Sequence, residues 1–232
     1  MNPPAPALPP RPRTRIKICG LTREQDVDAA VAAGADAVGF VLYPASPRHV
    51  SAERAGELAR RLPPFVTPVL LVVNEDAQRI HQALAFVPNA TLQFHGDETP
   101  AQCLAASAQG ARPYLRAARI PLDDAVSFDL VKFADLHSSA QAILLDAHVE
   151  GYGGGGKAFT WSRLPPSVNC HLVLSGGLTP ANVGDGILQV RPRCKSLAVD
   201  VSSGVEHSRG IKDPEKINRF VAAVRAADLQ TV

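Results

Sequence analysis

A cysteine ends the first apolar run of this chain, where a side chain can be used for chemistry rather than for packing. The run Arg15–Cys19 is followed at once by a glycine. In a β-strand, alternation places Lys17 and Cys19 on one face and the two isoleucines on the other. A lone cysteine is usually an inert buried residue. A thiol has a reference pKa of about 8.5, so a modestly lowered pKa would make Cys19 a usable general base.

Polar residues also lie at or near the ends of three later apolar runs. His95 ends the run 91–95, Asp146 ends the run 142–146, and Asp200 lies near the end of the run 196–201. An acid facing a base is the arrangement that proton transfer needs, although an aspartate that caps a turn is the plain alternative for Asp146. Arg48 follows the second run and can bind a carboxylate through two hydrogen bonds. We therefore take Asp146 as a catalytic candidate, and Arg48, His95 and Asp200 as substrate-binding candidates.

Glycine and serine follow the last two runs, where backbone N–H groups can hold a phosphate. One such segment precedes a predicted helix at Pro180, and the other follows the run 196–201. A third segment, the glycine run 153–156 before Lys157, is a weaker signal and is also compatible with a flexible linker. The phosphate-binding candidates are Gly155, Gly156, Gly176, Gly177, Ser202, Ser203 and Gly204.

These candidates need a scaffold that brings the ends of several strands together. From Thr14 onward, short β-branched runs alternate with alanine-rich stretches of helical character. The predicted strands are 15–19, 37–42, 69–73, 91–95, 113–117, 142–146, 171–175 and 196–201. Eight such units predict an α/β fold, a single (βα)8 TIM barrel, whose active site lies at the carboxyl ends of the strands. An open doubly wound sheet is the alternative.

The stretches between the strands predict helices. Thr22 is the expected N-cap of the first helix, 23–33, and Asp213 that of the last, 214–227. The others are expected at 52–62, 75–86, 99–108, 180–190 and, as a weak segment, 123–134.

Composition narrows the class of protein. The chain has 232 residues, a net charge of +2 and a hydrophobic fraction of 46%, as expected for one globular domain with no nucleic-acid partner. Its four cysteines lack metal-ligand or redox spacing, so no metal site is expected. We expect the cysteines to be reduced thiols in the cytoplasm. No apolar run is long enough to cross a membrane. Residues 1–13 are proline-rich and are expected to form a disordered tail before a barrel domain at 14–232.

Together these segments resemble phosphoribosylanthranilate isomerases of tryptophan biosynthesis. The matching motifs, in family order, are Lys17-Ile18-Cys19-Gly20-Leu21-Thr22, Gly39-Phe40, Ser46-Pro47-Arg48, Gln93-Phe94-His95-Gly96, Leu145-Asp146, the glycine loop to Phe159, Leu174-Ser175-Gly176-Gly177-Leu178, and Asp200-Val201-Ser202-Ser203-Gly204-Val205-Glu206. The resemblance implies a cofactor-free Amadori rearrangement of a small phosphoribosyl substrate. It assigns the general base to Cys19, the general acid to Asp146 and the neighbourhood of the anthranilate to Arg48.

One departure from the family and several alternatives remain. The family often has a threonine in the loop after the sixth strand, where this chain has only glycine at 153–156, so that loop lacks a hydroxyl that could contact the phosphate. A histidine-pathway isomerase is expected to have an aspartate in place of Cys19, and an indole-glycerol-phosphate synthase a catalytic lysine and a longer N-terminal helix. A non-catalytic phosphate-binding barrel is the third alternative. The chain is expected to be a monomer or a homodimer.

Overall fold

Eight parallel strands close into one barrel in chain order in the computed structural model, which describes residues 13–123, 125–147 and 158–230. The strands are β1 Arg15–Cys19, β2 Ala37–Val41, β3 Thr67–Val72, β4 Thr91–Phe94, β5 Tyr114–Ile120, β6 Ala142–Ala147, β7 Val168–Leu174 and β8 Cys194–Val201. β8 pairs with β1, with Lys17 opposite Asp200. The predicted (βα)8 barrel is confirmed, and the alternative of an open sheet is wrong.

Helices connect the strands around the outside of the barrel. They are α1 Glu24–Ala32, α2 Ala52–Ala59, α3 Ala77–Phe86, α4 Pro100–Ala106, α5 Leu130–Leu136, α6 Val183–Val190 and α7 Pro214–Leu229. Between β6 and β7 the described residues form a short 3-10 helix, Trp161–Arg163. No helix in the described ranges is both long and apolar enough to span a membrane.

Alternation along the strands divides the buried side chains between two layers. Ile16 and Ile18 belong to the large apolar layer between the strands and the helices. The opposite phase points into the barrel, where small apolar clusters fill its interior. Cys19 lies in one of these interior clusters, beside Val41 and Leu71. The predicted placement of the β1 isoleucines and of Cys19 on opposite faces is therefore confirmed, and the inner face also holds apolar side chains.

A short hairpin follows β8 and bends back over the barrel. A 3-10 helix, Ser203–Val205, leads into β9 Glu206–Ser208, which pairs antiparallel with β10 Ile211–Lys212. Glu206 and Lys212 are both buried. The hairpin thereby adds two buried charges beside the loop that leaves β8.

The starts of α5 and α6 lie at least three residues beyond the predicted ones, and the predicted cap of α1 is wrong. Thr22 does not cap α1; its hydroxyl donates to the Gly210 carbonyl at 2.9 Å. Asp123 accepts from the Ala125 N–H and so stabilises a turn, whereas α5 begins later behind Asp129, which accepts from the Lys132 N–H. α6 begins at Val183 rather than at Pro180. Thr22 and Asp123 are residues of capping type whose side chains bind other backbone groups instead.

Candidate active site

The polar residues singled out by alternation lie at the carboxyl ends of four strands. Cys19 is the last residue of β1, His95 directly follows β4, Asp146 is the penultimate residue of β6 and Asp200 that of β8. All four are buried. In a barrel these strand ends surround one mouth, which is where active sites of this fold are built.

Asp146 is held by a line of buried polar side chains that starts on β4. The His95 Nε2 and Asp146 Oδ2 atoms are 2.9 Å apart, and the Gln93 Nε2 and His95 Nδ1 atoms are also 2.9 Å apart. With the amide placed so that Gln93 donates to Nδ1, His95 carries its proton on Nε2 and donates it to Asp146. Both ring nitrogens of His95, predicted to bind substrate, are therefore engaged within the protein.

Cys19 lies beside a buried ion pair. The Lys17 Nζ atom is 2.9 Å from Asp200 Oδ1, and both side chains are about 5% exposed. Burial disfavours the charged form of Lys17, but Asp200 and Cys19 outweigh burial and raise the pKa of the ammonium. Burial raises the pKa of the Cys19 thiol, and Lys17 offsets only part of that rise. The surroundings of Cys19 in the free protein therefore raise the pKa of its thiol, because the cost of burying a thiolate dominates.

Asp200 uses both of its oxygens within the protein. Its Oδ1 accepts from Lys17, and its Oδ2 accepts from the Ser175 hydroxyl at 3.3 Å. The next residue, Gly176, lies against Asp146: a methyl group built on Gly176 would be 2.9 Å from Asp146 Oδ1. The loop after β7 thus connects the side of the mouth that holds Cys19 with the side that holds Asp146.

Arg48 is paired with a carboxylate of its own chain. Its Nε and Nη2 atoms donate to the two oxygens of Glu206 at 2.6 and 2.8 Å. The Lys212 Nζ atom donates to Glu206 at 2.9 Å and to the Ser202 carbonyl at 3.0 Å. Although burial opposes ionisation, Arg48 and Lys212 together lower the pKa of Glu206. Glu206 ended a motif quoted above without a role, and nothing in the sequence around Lys212 indicated that it would contact the mouth.

The predicted phosphate loops after β7 and β8 are in contact. Gly176 and Gly177 have φ values of +75° and +67°, a conformation that side chains rarely adopt. A methyl group built on Gly204 would be 1.9 Å from the Leu178 carbonyl oxygen, so only glycine lets the two loops meet there. Ser202 and Ser203 lie at the start of the 3-10 helix beyond β8. Gly155 and Gly156 lie outside the described residues.

The family model described as N-(5'-phosphoribosyl)anthranilate isomerase matches residues 16–223 of the chain. The N-(5'-phosphoribosyl)anthranilate isomerase of Leptothrix cholodnii is 62% identical over 220 residues, which cover 95% of this chain and 94% of the relative. That of Methylibium petroleiphilum is 63% identical over 216 residues, covering 93% and 96%.

Solved structures agree with this match. The phosphoribosyl anthranilate isomerase of Thermotoga maritima aligns with a TM-score of 0.76 at 36% identity, covering 92% of this chain and 99% of its own. A phosphoribosyl anthranilate isomerase in complex with reduced 1-(o-carboxyphenylamino)-1-deoxyribulose 5-phosphate aligns with a TM-score of 0.72 at 34% identity, with the same coverage. The chain therefore belongs to the N-(5'-phosphoribosyl)anthranilate isomerase family, the isomerases of tryptophan biosynthesis.

Proposed function

We propose that the chain converts N-(5'-phosphoribosyl)anthranilate to 1-(2-carboxyphenylamino)-1-deoxyribulose 5-phosphate without a cofactor, with Cys19 as general base and Asp146 as general acid. The observation that carries this proposal is the pair of buried proton-transfer groups at the ends of β1 and β6. The loop after β7 lies against Asp146 and contacts Asp200 between them. The complex of a related isomerase with a reduced phosphoribulose ligand supports the substrate class.

The rearrangement needs one proton donated and one removed. Asp146 gives a proton to the ribose ring oxygen, the bond between C1 and that oxygen breaks, and the anthranilate nitrogen forms an iminium with C1. Cys19 then removes the proton at C2, which gives an enolamine. Tautomerisation places a proton on C1 and leaves a ketone at C2, so substrate and product have the same atoms.

His95 is the group that prepares Asp146 for the first step. Its Nε2 atom lies 2.9 Å from Asp146 Oδ2. As the general acid, Asp146 carries the proton of this contact and donates to Nε2, with the Gln93 amide turned so that its oxygen accepts from Nδ1–H. Gln93 holds the other ring nitrogen and fixes the plane of the imidazole. These contacts favour a positioning role for His95 over the direct substrate contact expected from the sequence.

The phosphate is assigned to the loops after β7 and β8, at Gly176, Gly177, Ser202, Ser203 and Gly204. The buried Lys212 ammonium, 3.0 Å from the Ser202 carbonyl, adds positive potential on this side of the mouth. The contribution of Gly155 and Gly156 stays a prediction.

Two wider assignments also stay predictions. The chain is expected in the cytoplasm, with its cysteines reduced; Cys19, Cys103, Cys170 and Cys194 are all free thiols. It is expected to be a monomer or a homodimer. A related structure shows monomers generated from the dimeric isomerase of Thermotoga maritima, so a dimer occurs among relatives.

The proposal is tested by following the fluorescence of N-(5'-phosphoribosyl)anthranilate with the purified chain. We expect it to be consumed, and the phosphoribosyl substrate of the histidine-pathway isomerase to react far more slowly. Asp146→Asn keeps the size of the side chain but removes its proton, so turnover should fall about 10²–10⁴-fold. The surface variant Asp76→Asn is the matched control. A wild-type chain inert towards both substrates would support a non-catalytic barrel and refute the proposal.

A further inference from the structure

We propose that Lys17 is a positioning residue whose ammonium makes the Cys19 sulfur easier to ionise, and that the Asp200 carboxylate, paired with the same ammonium, opposes that ionisation. The inference deepens the proposed function, on which the catalytic meaning of Cys19 rests. Lys17 and Cys19 project from the same face of β1 into the barrel, two residues apart. Both are buried, at 4% exposure each.

The surroundings of Gly39 on the neighbouring strand β2 show how close the Lys17 and Cys19 side chains lie to each other. A methyl group built on Gly39 of β2 would be 2.7 Å from Cys19 Sγ, 3.0 Å from Lys17 Nζ and 3.1 Å from Lys17 Cε. The thiol and the ammonium therefore occupy the same small space above Gly39, and any larger residue there would have to displace one of them. A glycine in a strand interior weakens the strand, so its presence is consistent with room kept for these two groups.

Asp200 lies against the same ammonium from the adjacent strand. Lys17 and Asp200 are register partners on β1 and β8, and their charged atoms are 2.9 Å apart. A buried lysine loses its proton easily unless an opposite charge compensates for burial. Asp200 supplies that charge, and Ser175 holds its second oxygen. When Asp200 is neutralised, the ammonium still has a partner in the Cys19 thiolate, because Cys19 also raises the pKa of Lys17.

The remaining surroundings of the thiol leave Lys17 as its main source of positive charge. Apolar side chains of β2 and β3 line the rest of the cluster around Cys19. The charged groups facing it are Lys17 on its own strand, Asp200 on β8 and Lys212 on β10. Lys212 is already paired with Glu206, which also binds Arg48. Lys17 favours the thiolate more strongly than Lys212 does, and Asp200 acts against it.

This arrangement predicts effects of opposite sign from the two members of one ion pair. Removing Lys17 makes the thiolate harder to form, whereas removing the charge of Asp200 makes it easier. A purely structural ion pair would not give this result, because loss of either partner would then disturb the site in the same way. The sign of the two effects is therefore the diagnostic observation.

The test is the pH dependence of iodoacetamide alkylation at Cys19, read by mass spectrometry of the tryptic peptide that contains it. The midpoint of the pH curve reports the acidity of the thiol, and its plateau reports access to the reagent. At neutral pH we expect alkylation of Lys17→Met to be about tenfold slower than that of the wild type, with a higher midpoint. Asp200→Asn should have a lower midpoint and faster alkylation.

Two controls accompany these variants. Lys195→Met removes an exposed lysine at the other end of β8 and should leave the Cys19 curve unchanged. The alkylation of Cys103, Cys170 and Cys194 is measured in the same digests. Its pH dependence should be the same in all variants. The double variant Lys17→Met/Asp200→Asn leaves no unpaired buried charge, which protects it against the unfolding that a single substitution can cause.

The midpoints should rise in the order Asp200→Asn, wild type, double variant, Lys17→Met, because Lys17 affects the thiol more than Asp200 does. If either single variant does not fold, the inference is tested by the double variant, whose midpoint should lie above that of the wild type. Midpoints that move in the same direction for both single variants, or a double variant at or below the wild type, would overturn the inference. Since alkylation needs no substrate, this result is independent of the turnover assay that tests the proposed function.

Discussion

The side chain of Arg48 is held in one conformation by contacts within the protein itself. Two of its guanidinium nitrogens bind Glu206, and Lys212 binds the same carboxylate. A methyl group built on Gly20 would lie 2.5 Å from Arg48 Cδ, so the β1 turn also restrains the side chain. The arginine is thereby presented to the mouth in one fixed geometry, as recognition of a planar carboxylate requires.

We predict that Arg48→Ala weakens binding of the anthranilate end of the substrate. A hydrogen bond to a charged group is worth about 1.5–3 kcal/mol, so KM should rise about 10- to 100-fold while kcat changes less. Steady-state kinetics and the affinity for the reduced product analogue measure this. Arg54→Ala, which removes a partly exposed arginine from α2, is the control. Unchanged affinity for the analogue would exclude Arg48 from this role.

Sequence reasoning identified the residues of the site that lie on regular strands. Alternation alone placed Cys19, Asp146 and Asp200 on one phase, because a strand has a fixed period of two. It did not identify Glu206 or Lys212, whose positions depend on a hairpin that folds back after a 3-10 helix. The direction of the Cys19 pKa shift could not be predicted from the sequence either, because the depth of burial is a property of the closed barrel and not of the strand.

Among the secondary-structure elements, α5 shows what limits prediction of a helix. Asp123 and Asp129 are both suitable N-caps, and only the second starts a helix. Asp123 instead stabilises a turn, through its side chain to Ala125 and its carbonyl to Val126. Which of two nearby caps is used depends on where apolar residues pack against the barrel, and Leu130, the first residue of α5, is buried there.

The C-terminal end of α5 makes stability depend on pH. Burial, and secondarily Arg116, lowers the pKa of His137 to about 4 from an ordinary value of 6.5. Between these values the unfolded chain binds the proton and the folded chain does not, so stability is complete above pH 6.5 and falls as the pH decreases towards 4. The histidine is buried against Phe133, with ring centroids 4.6 Å apart.

We therefore predict that His137→Asn is less sensitive to mild acid than the wild type. Between pH 7.5 and 5.5 its loss of unfolding free energy should be smaller by about 1 kcal/mol. Urea unfolding at both pH values measures the difference. Phe133→Leu, which perturbs the same packing without removing a titrating group, should lose stability equally at both values. The prediction fails if His137→Asn shows the full wild-type dependence.

At the scale of the whole molecule, charged side chains tie the beginning of β1 to the last helix. The Asp228 carboxylate of α7 accepts from the backbone N–H and the hydroxyl of Thr14, and also pairs with Arg191. Arg13, placed at the end of the predicted tail, pairs with Asp36 at 2.6 Å. These contacts lie at the amino ends of the strands, opposite the mouth. In barrels of this type, residues at that face stabilise the fold and do not take part in catalysis.

The whole-molecule fold was the most predictable level of this protein. Eight alternating units allow few closed arrangements, and closure then forces the carboxyl ends of all strands to one side. The predicted tail, residues 1–13, lies almost entirely outside the described residues and stays a prediction. The loops are less predictable, because their conformations depend on contacts such as that between Gly204 and Leu178.

The central claim is that the sulfur of Cys19 removes the C2 proton of the substrate. The most direct measurement is single-turnover loss of N-(5'-phosphoribosyl)anthranilate fluorescence by the wild type and by Cys19→Ala, together with the affinity of each for the reduced product analogue. We predict that the rate falls about 10²–10⁴-fold while the analogue binds almost as tightly as before. A Cys19→Ala variant that turns over at nearly the wild-type rate would contradict the claim.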